Sequence, residues 1–291
     1  MSSVRLDMAA VTGAAARLGH VMPWLRSLAV LCVLFLAAAC AQVPKQAFNK
    51  EAHAGLKRIA LFEPVKPDSY AVAVVHHPGN SFGLIGGLIA AAEIQSKSNG
   101  FTTKMRELQL DFAAYLTESV EQALVAANYE VVRFAPNRPE NRVLNDYANI
   151  PVEADAYLDW AINWHGFLAA TIHTDYMPST RIYVRLVDAK SKAVLYSELI
   201  GYGFQYGAGE PVQLQAEPQH RFPTYGSLID GAEQAAEALK AAAPLIGARI
   251  SNDLRPSDFA PKDSGPKDAR PDDMKISALG MDNHAYRNAY R

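Results

Sequence analysis

Five histidines, an acid-bearing strand and two nearby arginines are the residues of this 291-residue chain whose types could do chemistry. His76, His77, His165, His173 and His220, together with Asp175, carry metal-donor atoms. None has the close helical spacing of a zinc protease, and the adjacent His76 and His77 point to opposite faces of a strand. Solvated or core histidines are therefore expected, and no metal. Asp159, Asn163 and His165 occupy alternating positions on one stretch, with Arg181 and Arg185 on the next. Paired strands would gather these five into a polar sheet face able to bind an anionic group, although cross-strand charge pairs stabilise sheets without any ligand. Glu153 and Asp155 stand at the mouth of a strand, where turn or capping roles suffice. No nucleophile arrangement and no Gly-x-Ser-x-Gly elbow are read from the sequence, and Gly83, Gly86 and Gly87 neither form a phosphate-cradling loop nor precede a lysine. No catalytic residue and no cofactor are expected.

The elements that must position these groups show in the hydrophobic periodicity. Lys57 to Phe62 reads as a first strand, and Tyr70 to His76, apolar on both faces, as a central buried one. From Thr103 to Ala127 the recurrence of Leu108, Phe112, Leu116, Val120 and Leu124 predicts a long amphipathic helix, closed by Asn128 in a left-handed conformation. Tyr129 to Phe134 resumes as a strand. Ala156 to Gly166 alternates, with Ala156, Leu158, Trp160, Ile162 and Trp164 on one face and Tyr157, Asp159, Asn163 and His165 on the other. Arg181 to Asp188 and Ala193 to Phe204 form a hairpin, and Ser227 to Ile250 a second helix kinked near Pro244. The sum is a single α/β domain over residues 57–250, a mixed sheet of about five or six strands with helices mainly on one face. Residues 251–291, rich in proline and charge, are expected to be a disordered tail.

The segment SFGLIGGLIAAAE from Ser81 to Glu93 is unusual. Gly83, Gly87 and Ala91 recur every four residues and would make a smooth helical strip beside Gly86, flanked by Ile85, Leu88 and Ile89. Such a segment can pack internally as a lid, dock a partner or another copy, or enter a membrane surface; at about 16 Å as a helix, residues 82–92 are too short to span one.

The N-terminus carries the clearest signal. Arg26 precedes an apolar run from Leu28 to Leu36, then Ala37, Ala38, Ala39 and Cys40. This is the charge, core and small-residue order of a cleaved secretory signal, and its length falls short of the roughly 20 residues of a spanning helix. Leu36-Ala37-Ala38-Ala39-Cys40 resembles the lipobox of bacterial lipoproteins, with the leucine one step earlier than usual. The resemblance implies a cleaved signal over residues 1–39, with Met22 a plausible start, and lipidation of Cys40 by diacylglycerol and palmitate. Cys32 would be removed, leaving Cys40 as the only one of two cysteines in the mature chain. Ala41 and Gln42, in place of an aspartate, imply by the same resemblance the periplasmic face of the outer membrane. Residues 40–56 then read as a lipidated end and tether.

Processing would remove three of 28 basic and one of 30 acidic residues, a mature net charge of −4, which gives no footprint for nucleic acid. Over residues 57–250 the order of elements resembles the periplasmic α/β domain of outer-membrane lipoproteins that activate cell-wall synthases or build curli secretion pores. The expectation is a non-enzymatic binding or assembly factor of the cell envelope, with an envelope protein partner or self-association. A periplasmic hydrolase with a dispersed site, and an oligomeric secretion or pore subunit using residues 82–92, are the alternatives.

Overall fold

In a computed structural model, residues 45–138, 140–205 and 212–255 are described. Seven strands form one mixed sheet in the order β3-β1-β4-β5-β6-β7, with β2 also on β4. The strands are β1 (Arg58–Phe62), β2 (Ala71–Val74), β3 (Glu130–Phe134), β4 (Ala156–Ala169), β5 (Met177–Asp188), β6 (Val194–Gly203) and β7 (Val212–Leu214). The α/β class and the mixed sheet are as the periodicity implied, and β7 is an addition to it.

β4 organises the sheet. On one edge it pairs in parallel with β1 at Ala156 to Leu158 and with β2 at Gly166 to Ala169; on the other it pairs antiparallel with β5. Between Ile162 and Trp164 its register shifts by one residue, a bulge at Asn163. An extra residue reverses the alternation beyond it. Accordingly Ala156, Leu158, Trp160 and Ile162 share the main core with Phe167 and Ala169, while Trp164 and Leu168 face the other side. Gly166, at φ +144°, lets β2 approach: a Cβ there would sit 1.9 Å from the Ala71 carbonyl oxygen.

The helices pack on the main core: α1 (Gly83–Glu107), α2 (Phe112–Ala126), α3 (Tyr225–Asp230), α4 (Ala232–Lys240) and α5 (Ala242–Leu254). The expected helix from 103 to 127 is two helices, because Gln109 takes a positive φ and Asp111 caps the next helix by accepting from the Ala114 N–H. Of the expected stripe, Phe112, Leu116, Val120 and Leu124 are buried, whereas Leu108, left between the two helices, is exposed; Asn128 stops α2 at φ +67°. The expected closing helix is likewise broken, at Gly231 and Ala241, and Pro244 falls in the first turn of α5, where its missing N–H costs nothing.

Two boundaries differ from expectation. Ser251 and Leu254 are buried within α5, so the domain continues past residue 250. The tether is docked from Lys45 onward: Lys45 pairs with Glu198 at 3.0 Å, Gln46 exchanges backbone hydrogen bonds with Ser197, and Phe48 packs on the core. Residues 1–44 and 256–291, including Cys40 and most of the expected tail, lie outside the described residues.

β2 is also not central. Its second edge is covered by α1, whose Ser98 and Thr102 hydroxyls accept from the N–H groups of Val72 and Tyr70 at 3.0 and 2.9 Å. Side-chain hydroxyls thus take the place of a neighbouring strand. Ser98→Ala and Thr102→Val, each leaving a buried N–H unpaired, are expected to lower the unfolding free energy by about 1–3 kcal/mol apiece in urea denaturation.

Candidate functional site

The polar sheet face anticipated from alternation is assembled only in part: Asp159, Arg181 and Arg185 share the face away from the helices, and Asn163 and His165 leave it. Asp159 and Arg185 are register partners on the face away from the helices. His165, beyond the bulge, lies on the helix face instead, its ring 4.2 Å from that of Tyr70 and 4.7 Å from that of Phe112. Asn163 is the bulged, exposed residue and Arg181 sits opposite Trp164. Asp159 itself is fully buried, paired with Arg138 at 2.9 Å and accepting from the Leu144 N–H and the Tyr147 hydroxyl. Burial, reinforced by Asp159, pushes the Tyr147 hydroxyl well above its ordinary value. Arg185 donates to the Tyr183 hydroxyl and stacks over that ring at 5.4 Å. Asp159 is therefore a clamp that holds a long loop on the sheet.

The other chemical candidates have structural occupations. Asp155, lining a groove of 560 Å³ with Asp188, accepts from the N–H groups of Lys57 and Arg58; Asp188 accepts from Lys190 and Ser191. Neither carboxylate is left poised for proton transfer. His76 and His77 lie past the end of β2, His173 is in an exposed loop and His220 in a short turn. Among the described residues no three His, Cys, Asp or Glu side chains come together as metal ligands.

Contrary to expectation, a Gly-x-Ser-x-Gly spacing is present. Gly79-Asn80-Ser81-Phe82-Gly83 is a Gly-x-Ser-x-Gly run between β2 and α1, the strand–turn–helix context of a nucleophile elbow. The geometry is different from an elbow. Ser81 is absent from the positive-φ residues, whereas Gly83 has φ +64°. His77, the nearby base, spends Nδ1 on the Gly79 N–H and Nε2 on Glu93, each at 3.1 Å. The run serves instead to fold the turn back on the helix.

That turn resolves the glycine strip. Gly86 and Ala90 are buried and face Gly79, where a Cβ on Gly86 would come within 2.2 Å of the Gly79 carbonyl oxygen. Gly83 and Gly87 have nothing within 4 Å of a Cβ, and Ala91 is exposed. The packing strip is thus Gly86 with Ala90, not Gly83, Gly87 and Ala91. The large side chains of the same segment are left in solvent: Phe82 is 77% exposed, Leu84 81%, Ile85 75%, Leu88 63% and Ile89 62%. At its base, Glu93 is held below the usual carboxylate range by the Lys97 ammonium, 2.5 Å away, and Lys97 reaches the Tyr176 hydroxyl.

Register fixes where this surface lies. Ser98 is level with Val72 and Thr102 with Tyr70, so α1 runs antiparallel to β2. From Ser98 back to Gly83 the helix rises about 22 Å, against about 7 Å of strand from Val72 to Val74, so α1 overhangs the sheet end by roughly 15 Å. An exposed apolar surface of this extent on a single helix is the feature of the molecule that most needs a function.

No family model and no curated protein matches the sequence. Among solved structures, the chain is similar to the PelC dodecamer from Paraburkholderia phytofirmans, with 11% identity, a TM-score of 0.32, and coverage of 74% of this chain and 96% of that one. It is also similar to protein XCC0632 from Xanthomonas campestris, with 9% identity, a TM-score of 0.34, and coverage of 67% and 81%. The hypothetical protein CT253 from Chlamydia trachomatis matches with 10% identity, a TM-score of 0.31, and coverage of 69% and 99%. At these scores no property of those proteins transfers to this chain.

Two outcomes follow from the buried polar groups. Arg138→Met leaves the Asp159 carboxylate buried without its cation and should destabilise the domain by about 3–5 kcal/mol in chemical denaturation. His165 has no hydrogen-bond partner on either ring nitrogen among the described residues, and burial pushes its pKa down to about 3. The unfolded chain protonates this ring near pH 6.5, so between these values the unfolded state binds more protons and stability falls as pH falls, by up to about 1.4 kcal/mol per pH unit. His165→Leu should flatten the dependence between pH 6.5 and 4.5, measured as urea midpoints across that range.

Proposed function

We propose that the protein is a lipoprotein of the bacterial envelope, lipid-anchored through Cys40 at the periplasmic face of the outer membrane, and that it works by binding or assembly without catalysing a reaction. The observation that carries this reading is the run Leu36 to Cys40 closing the apolar segment that begins at Leu28, with Cys40 the sole cysteine after processing. Thioether lipidation also removes the liability of an unpaired exported thiol. Ala41 and Gln42 support the outer over the inner membrane. The docking of Lys45 and Gln46 supports an anchor close to the domain, because only four residues lie between Cys40 and Lys45. The binding role is supported by the exposed apolar face of α1, and by the engagement of Asp155, Asp159, Asp188 and His77 in structural hydrogen bonds.

Replacing Cys40 with Ser should abolish fatty-acid labelling and move the protein from the membrane to the soluble fraction. Unchanged labelling of that variant refutes the anchor. Density-gradient separation of the two membranes checks the location, and recovery of the labelled protein with the inner membrane would correct it.

A further inference from the structure

We infer that the apolar overhang of α1 is a membrane-seating surface: residues 82–89 lie in the headgroup and upper acyl region of the leaflet that the lipids on Cys40 enter, so that the bilayer holds the domain at two points. This rests on the lipoprotein reading above.

The chemistry of the surface matches lipid. Residues 78–92 contain no Asp, Glu, Lys, Arg or His, and ionisable side chains flank them at His77 and Glu93. Leu84 with Leu88, and Ile85 with Ile89, stack one turn apart and form an exposed stripe extended by Phe82. A protein-binding patch of this size is ordinarily rimmed by polar groups, whereas acyl chains accept an unbroken apolar face. The burial is shallow, since among the described residues no helix is long and apolar enough to cross a membrane.

The length of chain before Lys45, and where it ends, supply the second argument. Five residues span at most about 18 Å, so the lipids on Cys40 confine the domain to the membrane surface. Gln46 bridges Ser197 antiparallel, so the chain reaches Gln46 from the direction of the C-terminal end of β6. The C-terminal ends of β2, β4 and β6 lie at the same side of the sheet, the side α1 overhangs. Along the strands, Lys45 lies roughly 40 Å from the end of that overhang, more than twice the reach of the five residues. Both points therefore meet one bilayer only when the long axis of the sheet lies nearer the membrane plane than its normal. α1 then rests along the surface with the Leu84 and Ile85 stripe in lipid.

The test uses the mature chain, residues 40–291, bearing Cys40→Ser so that it carries no lipid, mixed with phosphatidylethanolamine and phosphatidylglycerol vesicles and separated by flotation. The chain should float with the vesicles, and Ile85→Glu combined with Leu88→Glu should reduce partitioning at least ~10-fold while leaving the circular dichroism spectrum unchanged. Failure of the unsubstituted surface to bind, or equal binding by the double variant, overturns the proposal. A soluble oligomer that ignores vesicles and dissociates on the same double substitution would assign the face to a second copy and equally overturn it. Fatty-acid labelling of Cys40 in cells separates the two claims. Labelled protein whose unlipidated form ignores vesicles removes only the seating surface, and vesicle binding by a chain that is never labelled removes only the anchor.

Discussion

Strand β4 has partner strands on both edges at each of its ends, and this arrangement decides the position of nearly every other element. β1 and β2 lie end to end along one edge while β5 runs along the other. Because β2 joins only the far half of β4, its outer edge is open, and α1 closes it with Ser98 and Thr102. Two hydroxyls one helical turn apart match alternate N–H groups of a strand, since four helical residues and two strand residues advance by nearly the same distance. That match aligns α1 with β2 and sends about its first ten residues beyond the sheet.

The bulge at Asn163 is the second feature of β4 with consequences elsewhere. It divides the strand into two stretches with opposite facing rules, and the division separates Asp159 from His165. On one side Asp159 gathers Arg138, Leu144 and Tyr147 and so fastens the loop that covers the back of the sheet. On the other, His165 becomes a neutral aromatic filler between Tyr70 and Phe112. Both groups have the chemistry of a site and the surroundings of a core. Desolvation is large enough that such groups are held by specific partners or forced neutral, and each takes one of these courses.

The N-terminal half of α1 reverses the usual economy of a globular surface. Its small residues, Gly86 and Ala90, are buried against Gly79, and its large apolar residues point outward. Close packing of the turn on the helix needs the absence of side chains, which turns the bulky residues to the opposite face. The arrangement is self-supporting, so the exposed face is pre-formed.

The sequence by itself determined the fold class, the six strands other than β7, the buried stripe of α2 and the left-handed stop at Asn128, and it alone carries the export and lipidation proposed for Cys40. These depend on local periods of 2 and 3.6 residues, on a single residue's conformational freedom, or on a contiguous motif, all of which are written in neighbouring positions. The tertiary structure decided what depends on contacts between distant positions. The break of the long helix at Gln109 and Asp111 interrupts a stripe whose spacing continues unbroken, and the docking of Lys45 and Gln46 on β6 joins residues about 150 positions apart. The separation of His165 from Asp159 turns on one unpaired residue, and a one-residue slip is invisible to alternation yet changes the face of everything after it. Likewise, which glycines of residues 83–91 pack and which look outward follows from the turn at Gly79 folding back, and helical spacing alone admits either strip.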